Sequence, residues 1–242
     1  MKRTAIITGA SRGIGKACAL ELAHHFDYIV INSCHHASDL EAVKKEVERI
    51  GCECLAFTGD VSDYSFTSSM MKQVLMQCPD IELLVNNAGI SYVGLLTDMQ
   101  PQDWNQIIQT NLSSLFNCCQ PVIPDMVHRQ SGHIINISSM WGISGASCEV
   151  AYSASKGGVN AFTKALGKEL APSHVRVNAI ACGAIDTQMN ACFDEAELQA
   201  LCDDIPASRL GKPEEIARFI YQLYESPIYL TGEVIKIDGG YL

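Results

Sequence analysis

Hydrophobic and polar positions follow two alternating rhythms along this chain. Short apolar runs recur at residues 4–8, 28–32, 54–58, 81–85, 133–137, 175–179 and 233–237. Longer stretches between them place apolar residues three or four apart. Ile14, Ala17, Cys18 and Leu22 do so within 14–25, and Val43, Val47 and Ile50 within 40–50. Further helical stretches follow: one ending at Met76, then 104–121 with Pro101 near its start, 151–170 and 214–224. A run that is apolar at consecutive positions has no face to give to water, so the short runs read as strands covered on both sides. Strands alternating with amphipathic helices form parallel crossover units.

The pattern therefore predicts an α/β fold in which residues 1–242 form one domain. Its expected architecture is a Rossmann-type, doubly wound parallel sheet of about seven strands with helices on both faces. No linker, repeat or low-complexity tract interrupts it. Residues 188–210 break the rhythm, being rich in Asp and Glu and lying after the sixth strand. Ligands bind outside strand carboxyl ends in such sheets, so this segment reads as a substrate lid.

Composition narrows the picture modestly. Hydrophobic residues make up 48% and charged residues 18%, which supports a folded enzyme rather than a disordered chain. The net charge of −10 repels phosphate polymers and anionic bilayers, so neither nucleic acid nor a membrane is an expected partner. Ala5-Ile6-Ile7 after Lys2-Arg3 stops at Thr8-Gly9, too soon for a signal peptide, and no run is long enough to span a membrane. Eleven cysteines occur without a CxxC pair or a His pair at ligand spacing, so reduced thiols and no metal are expected, in a cytoplasmic setting.

The candidate chemistry begins at Thr8-Gly9-Ala10-Ser11-Arg12-Gly13-Ile14-Gly15, between the first strand and first helix. Glycines there permit a tight turn and bring backbone N–H groups close to a pyrophosphate at the helix start. Further on stand Asp60-Val61, Asn86-Asn87-Ala88-Gly89, Asn111, Ser139 and Tyr152-Ser153-Ala154-Ser155-Lys156. In that order and spacing they resemble the short-chain dehydrogenase/reductase family across essentially the whole chain. The resemblance implies a catalytic tetrad of Asn111, Ser139, Tyr152 and Lys156. It also implies cofactor contacts from Gly9, Ser11, Arg12, Gly13, Ile14, Gly15, Ser33, Asp60, Val61, Asn87, Ala88, Gly89, Ile185 and Thr187, together with Tyr152 and Lys156. Tyr152 and Lys156 lie four apart and so share a helix face, where a cation is expected to lower the phenol's pKa. Ser139 is preferred to Ser138 because it lies thirteen residues before the tyrosine. A dinucleotide-binding regulator or scaffold would keep the glycine turn and lose the tetrad, so the enzyme reading is preferred. Cys182 stands where the family usually has proline.

Ile31–His36 ends the second strand without a carboxylate, and Arg12 is placed to pair with a 2′-phosphate; NADP(H) is expected over NAD(H). His35 and His36 are secondary candidates. The runs 209–217 and 229–240 are similar to the 3-oxoacyl-(acyl-carrier-protein) reductases, which implies a ketone on a carrier protein and a homotetramer. Only Arg129 offers a basic residue for carrier docking, and Pro172-Ser173-His174 offers no fixed charge. Glu149, three before Tyr152, suits a substrate bearing an amine. The stretches 139–149 and 183–189 are similar to the elongation factor P 5-aminopentanone reductases, which reduce a ketone on a modified lysine. Glu149, Ser139 and Met189 are the candidate substrate contacts.

Overall fold

The computed structural model describes residues 2–190 and 194–242. Seven strands form one sheet: β1 (Thr4–Ile7), β2 (Tyr28–Ser33), β3 (Glu53–Thr58), β4 (Ile81–Asn86), β5 (Gly132–Ser139), β6 (Val175–Cys182) and β7 (Val234–Ile237). Their order is β3-β2-β1-β4-β5-β6-β7 and every pairing is parallel. The chain winds outward from β1 to β3, then returns to β4 and winds the other way. The reversal opens a crevice above the carboxyl ends of β1 and β4, where ligands bind in such sheets.

Alternating side chains along each strand feed two cores. On one face Ala5, Ile7, Ile29, Ile31, Leu83 and Val85 pack against α1 (Gly13–Leu22), α2 (Ala37–Ile50) and α9 (Pro213–Tyr224). On the other, Ile6, Val30, Leu84 and Ile134 meet α3 (Tyr64–Gln77), α5 (Ser114–Arg129) and α7 (Val150–Leu170). Each fully buried side chain such as Leu22 or Met70 contributes about 1.5–3 kcal/mol by leaving water. Gly51, at φ 106°, ends α2 in a left-handed turn that a Cβ would strain.

The long helix expected at 104–121 is in fact three pieces. α4 (Pro101–Ile108) passes through a π-turn at Gln109–Ser113 into α5, which runs on past Pro121 and Pro124 to Arg129. Burial of Leu115, Cys118, Cys119, Val122 and Met126 carries α5 through the two prolines. The π-turn holds an extra residue, and that residue register points Asn111 inward, fully buried. β6 reaches further than expected, to Cys182, and β5 ends at Ser139 just before the short α6 (Trp141–Ser144), so both residues stand at strand carboxyl ends beside the crevice.

The acidic segment holds α8 (Glu195–Asp204), started by a capping box in which Asp194 and Glu197 exchange bonds with each other's backbone N–H. Residues 191–193, part of the expected lid, lie outside the described residues. The ten described cysteines are free thiols. No helix among the described residues is long and apolar enough to cross a membrane.

Candidate functional site

The glycine turn after β1 is shaped by close approach. Gly9 sits at φ 65°, and a Cβ there would lie 2.9 Å from the Ala88 backbone. On Gly13, at φ 54°, a Cβ would lie 3.2 Å from the Thr187 methyl. A Cβ on Gly15 would lie 2.3 Å from the Gly9 carbonyl oxygen, so no larger residue fits. Gly15 thus packs behind the turn, allowing Gly9 and Gly13 to line the crevice. The turn is bolted to the end of β4. The backbone N–H groups of Asn87 and Ala88 both donate to the Thr8 hydroxyl at 3.0 Å. The Asn87 amide donates to the carbonyls of Thr8 and Gly9 at 2.9 and 3.1 Å.

At the end of β2, the Ser33 hydroxyl donates to Ser11 at 3.0 Å. Cys34, His35 and His36 follow, with the Arg12 side chain exposed beside them. Asp60 accepts from the Ser62 backbone at 2.8 Å, and burial together with Asp60 raises the Cys34 thiol's pKa. No carboxylate stands on β2 itself or in the residues 34–36 that follow it.

At the opposite end of the crevice, β5, the π-turn and α7 converge. Tyr152 and Lys156 lie on the inner face of α7, with the ammonium 5.7 Å from the phenol ring centroid. Lys156 is nearly completely buried and donates to the Ile137 carbonyl at 2.8 Å. Burial lowers its pKa from 10.5 to about 8. Burial also raises the Tyr152 phenol above its ordinary range; the Ser139 hydroxyl, hydrogen-bonded to it, pulls the other way. The expected lowering of Tyr152 by Lys156 is therefore not found in the protein alone, because desolvation of a buried phenolate outweighs a cation that is itself desolvated.

Asn111 lies behind the crevice. Its carbonyl accepts from the Ile90 N–H at 2.8 Å, while its amide donates to the Ile90 carbonyl and to Ser155 Oγ at 2.9 and 3.0 Å. Ser138, the competing serine, is engaged elsewhere, donating to Asn160 Oδ1 at 2.7 Å. Ser139 is left facing Tyr152.

These ends belong to one cavity of about 590 Å³. It is lined by Gly9, Ser11, Arg12, Gly13, Ile14, Ser33, Asp60, Val61, Asn87, Ala88, Gly89, Ile185 and Thr187 along its length. Ser139, Glu149, Tyr152, Lys156 and Met189 stand at the far end. Of the sequence-predicted residues, only Gly15 and Asn111 sit behind the wall. Cys182 also lines it, buried, its thiol pushed up to about 12 by desolvation. Sequence reasoning missed Ile90, Val93, Met140, Trp141 and Leu201, which supply the apolar wall near Tyr152. Four of them come from loops and short turns that carry no periodic signal, and Leu201 comes from α8. Burial raises the Glu149 carboxyl's pKa, and the Trp141 indole N–H donates to it. Trp141 in turn packs edge-on against Tyr241, 5.6 Å between centroids.

Arg129 departs from its expected docking role. It lies at the amino-terminal end of β4, away from the cavity, paired with Glu82 and Asp125. Its guanidinium also donates to the Ile81 carbonyl, so its charge is spent inside the protein.

This site and sheet are those of a dinucleotide-dependent oxidoreductase, and comparison with known proteins names the family. The short chain dehydrogenase family matches residues 3–198. The chain belongs to that family. It is 36% identical over 241 residues to the 3-oxoacyl-[acyl-carrier-protein] reductase FabG of Staphylococcus aureus, covering 99% of this chain and 98% of that one. It is also 36% identical over 243 residues to an uncharacterized oxidoreductase, YmfI, of Bacillus subtilis, covering 100% and 99%. A crystal structure of the actinorhodin polyketide ketoreductase with NADPH superimposes with a TM-score of 0.94 at 29% identity, covering 99% of this chain and 97% of that one.

Proposed function

We propose that the protein is an NADPH-dependent ketone reductase of the 3-oxoacyl-reductase type. The observation that carries this is the single cavity joining a glycine cradle at one end to Ser139, Tyr152 and Lys156 at the other. The cradle fits a dinucleotide: Gly9 and Gly13 line the cavity with left-handed backbone, and Gly15 packs behind them where a Cβ would meet the Gly9 carbonyl. The actinorhodin ketoreductase, of the same fold, holds NADPH, and the reductase from Staphylococcus acts on 3-oxoacyl groups by its name. Arg12 and the carboxylate-free end of β2 suit a 2′-phosphate, which favours NADPH over NADH.

When bound, the reduced nicotinamide supplies a hydride to the carbonyl carbon. Tyr152, held protonated at neutral pH by its burial, gives its phenolic proton to the developing alkoxide oxygen. Ser139 donates a hydrogen bond to the same oxygen, as an oxyanion-type group. The Lys156 ammonium stabilises the phenolate left on Tyr152 and would hold the ribose of the bound dinucleotide. Asn111 fixes the π-turn beneath Lys156 and anchors the route by which the proton is replaced. Of the acidic segment, Met189 and Leu201 line the cavity and would cover the substrate, and the active form is a cytoplasmic homotetramer.

A second, finer reading rests on Glu149. Its carboxylate lines the cavity three residues from the phenol, and among the described residues no Lys, Arg or His pairs with it. That arrangement suits a ketone carrying an ammonium group, as on the modified lysine of elongation factor P, rather than an acyl thioester.

The test is NADPH consumption with an acetoacetyl thioester and with an aminopentanone-modified protein. Turnover in the parent that disappears in Tyr152→Phe supports the reductase reading, and equal turnover in both proteins sinks it. The faster of the two substrates decides between the readings.

A further inference from the structure

We infer that Asn160 is a positioning residue that sets the Ser139 hydroxyl against the Tyr152 phenol. The inference rests on the reductase reading above and adds a residue to it.

Tyr152, Lys156 and Asn160 stand at successive four-residue steps of α7, so all three present to the same side. The last residues of β5 and the turn that follows are laced to that side in order. The Lys156 ammonium donates to the Ile137 carbonyl at 2.8 Å. The Ser138 hydroxyl donates to Asn160 Oδ1 at 2.7 Å, with the Lys156 carbonyl a weaker second acceptor at 3.3 Å. The Asn160 amide then donates to the Gly142 carbonyl at 2.9 Å. Asn160 therefore uses both ends of one side chain, accepting from the residue before Ser139 and donating to the residue three beyond it. Gly142 makes this clamp possible: a Cβ there would lie 2.7 Å from the Lys156 backbone, so only glycine lets the turn settle on α7.

Ser139 sits inside the clamped span. Its oxygen accepts from the Trp141 N–H at 3.1 Å, so the hydroxyl's direction follows the turn at residues 140–144. Ser138 and Asn160 are both nearly fully buried, where a lost partner leaves an uncompensated polar group rather than a solvated one. Releasing Asn160 frees the turn from α7 on either side of Ser139, leaving it tied to β6 by the Met140 N–H bond to the Cys182 carbonyl at 2.8 Å. The distance from Ser139 to the phenol then loosens, whereas the glycine cradle, built on β1 and β4, is untouched.

The test is a double-variant cycle on ketone reduction. Asn160→Ala lowers kcat about tenfold, as expected when a hydrogen-bond donor drifts from the reacting oxygen, while the NADPH dissociation constant stays within about twofold of the parent. Added to Ser139→Ala, the same substitution causes no further loss, because its effect runs through that hydroxyl. Should Asn160→Ala not fold, Ser138→Ala breaks the same clamp from its other side and gives a loss of the same sign. Losses that multiply in the double variant, or a fall in NADPH affinity parallel to kcat, overturn the inference and make Asn160 a general stabiliser. Parental kcat in Ser139→Ala alone overturns the role of Asn160, whereas the reductase reading falls only if Tyr152→Phe turns over at the parental rate.

Discussion

The two ends of the cavity are built from different materials. The end over β1 and β2 is mostly backbone: two left-handed glycines, a third that packs behind them, and hydrogen bonds through Thr8 and Asn87. The end over β5 and α7 is made of buried polar side chains, each held by a named partner: Lys156 by Ile137, Asn111 by Ile90 and Ser155, Ser138 by Asn160. The difference teaches how each end fails. Backbone cradles fail by steric intrusion and lose the ligand. Side-chain clusters fail by misplacement or loss of a charge and lose the chemistry while the ligand stays bound.

The largest effect that separates the two ends is expected at Lys156. Lys156→Met lowers kcat/KM by about a thousandfold, within the range for groups that assist proton transfer. The same variant carries a pH signature. The folded pKa of about 8 lies below the ordinary 10.5, so the unfolded chain holds more protons between those values and stability rises with pH across that window. Relative to Lys156→Met, the parent gains about 1–3 kcal/mol between pH 8 and 10.5, read by denaturant unfolding. A flat difference would show that the ammonium is not desolvated.

Intrusion at the other end comes next. In Gly15→Ala the new methyl meets the Gly9 carbonyl, costing about 1–3 kcal/mol of stability. NADPH affinity falls at least about tenfold, since the turn must shift to admit the methyl. Calorimetric titration checks this, and an unchanged affinity would break the contrast between the ends. Glu149→Gln follows: KM for an amine-bearing ketone rises about tenfold while a neutral ketone is unaffected. Equal KM values for both proteins on the amine would make Glu149 merely a partner for Trp141. The smallest effect is at Arg12, where Arg12→Ala weakens NADPH about three- to tenfold and NADH less, as for a solvent-exposed ion pair.

Much of this is legible in the amino-acid sequence, and unevenly so between the same two ends. Seven apolar runs marked the seven strands, because interior parallel strands are buried on both faces and the edge strands β3 and β7 are half-buried. The glycine spacing and Tyr152–Lys156 were legible because each needs a fixed local geometry, a tight turn or one helix face. The break at Asn111 was not: a π-turn leaves the helical periodicity nearly intact, and Pro121 suggested an end that core packing overrides. Nor was the lowered pKa of Lys156, since neighbours in sequence do not reveal desolvation. Trp141 beside Glu149 and Asn160 beside Ser138 are long-range meetings that only the packing of β5 on α7 brings about. Arg129 misled for a related reason, its charge being consumed by Glu82, forty-seven positions away.

The central claim is that Tyr152 protonates a ketone oxygen as hydride arrives from a dinucleotide held by the glycine cradle. NADPH deuterated at its reactive carbon, in single turnover with saturated parent and Tyr152→Phe proteins, tests it most directly. The account predicts deuterium on the carbinol carbon of the product from the parent, and a rate at least about a hundredfold lower from the Phe variant at equal NADPH occupancy. Unlabelled product from the parent, or labelling by Tyr152→Phe at the parental rate, would contradict it.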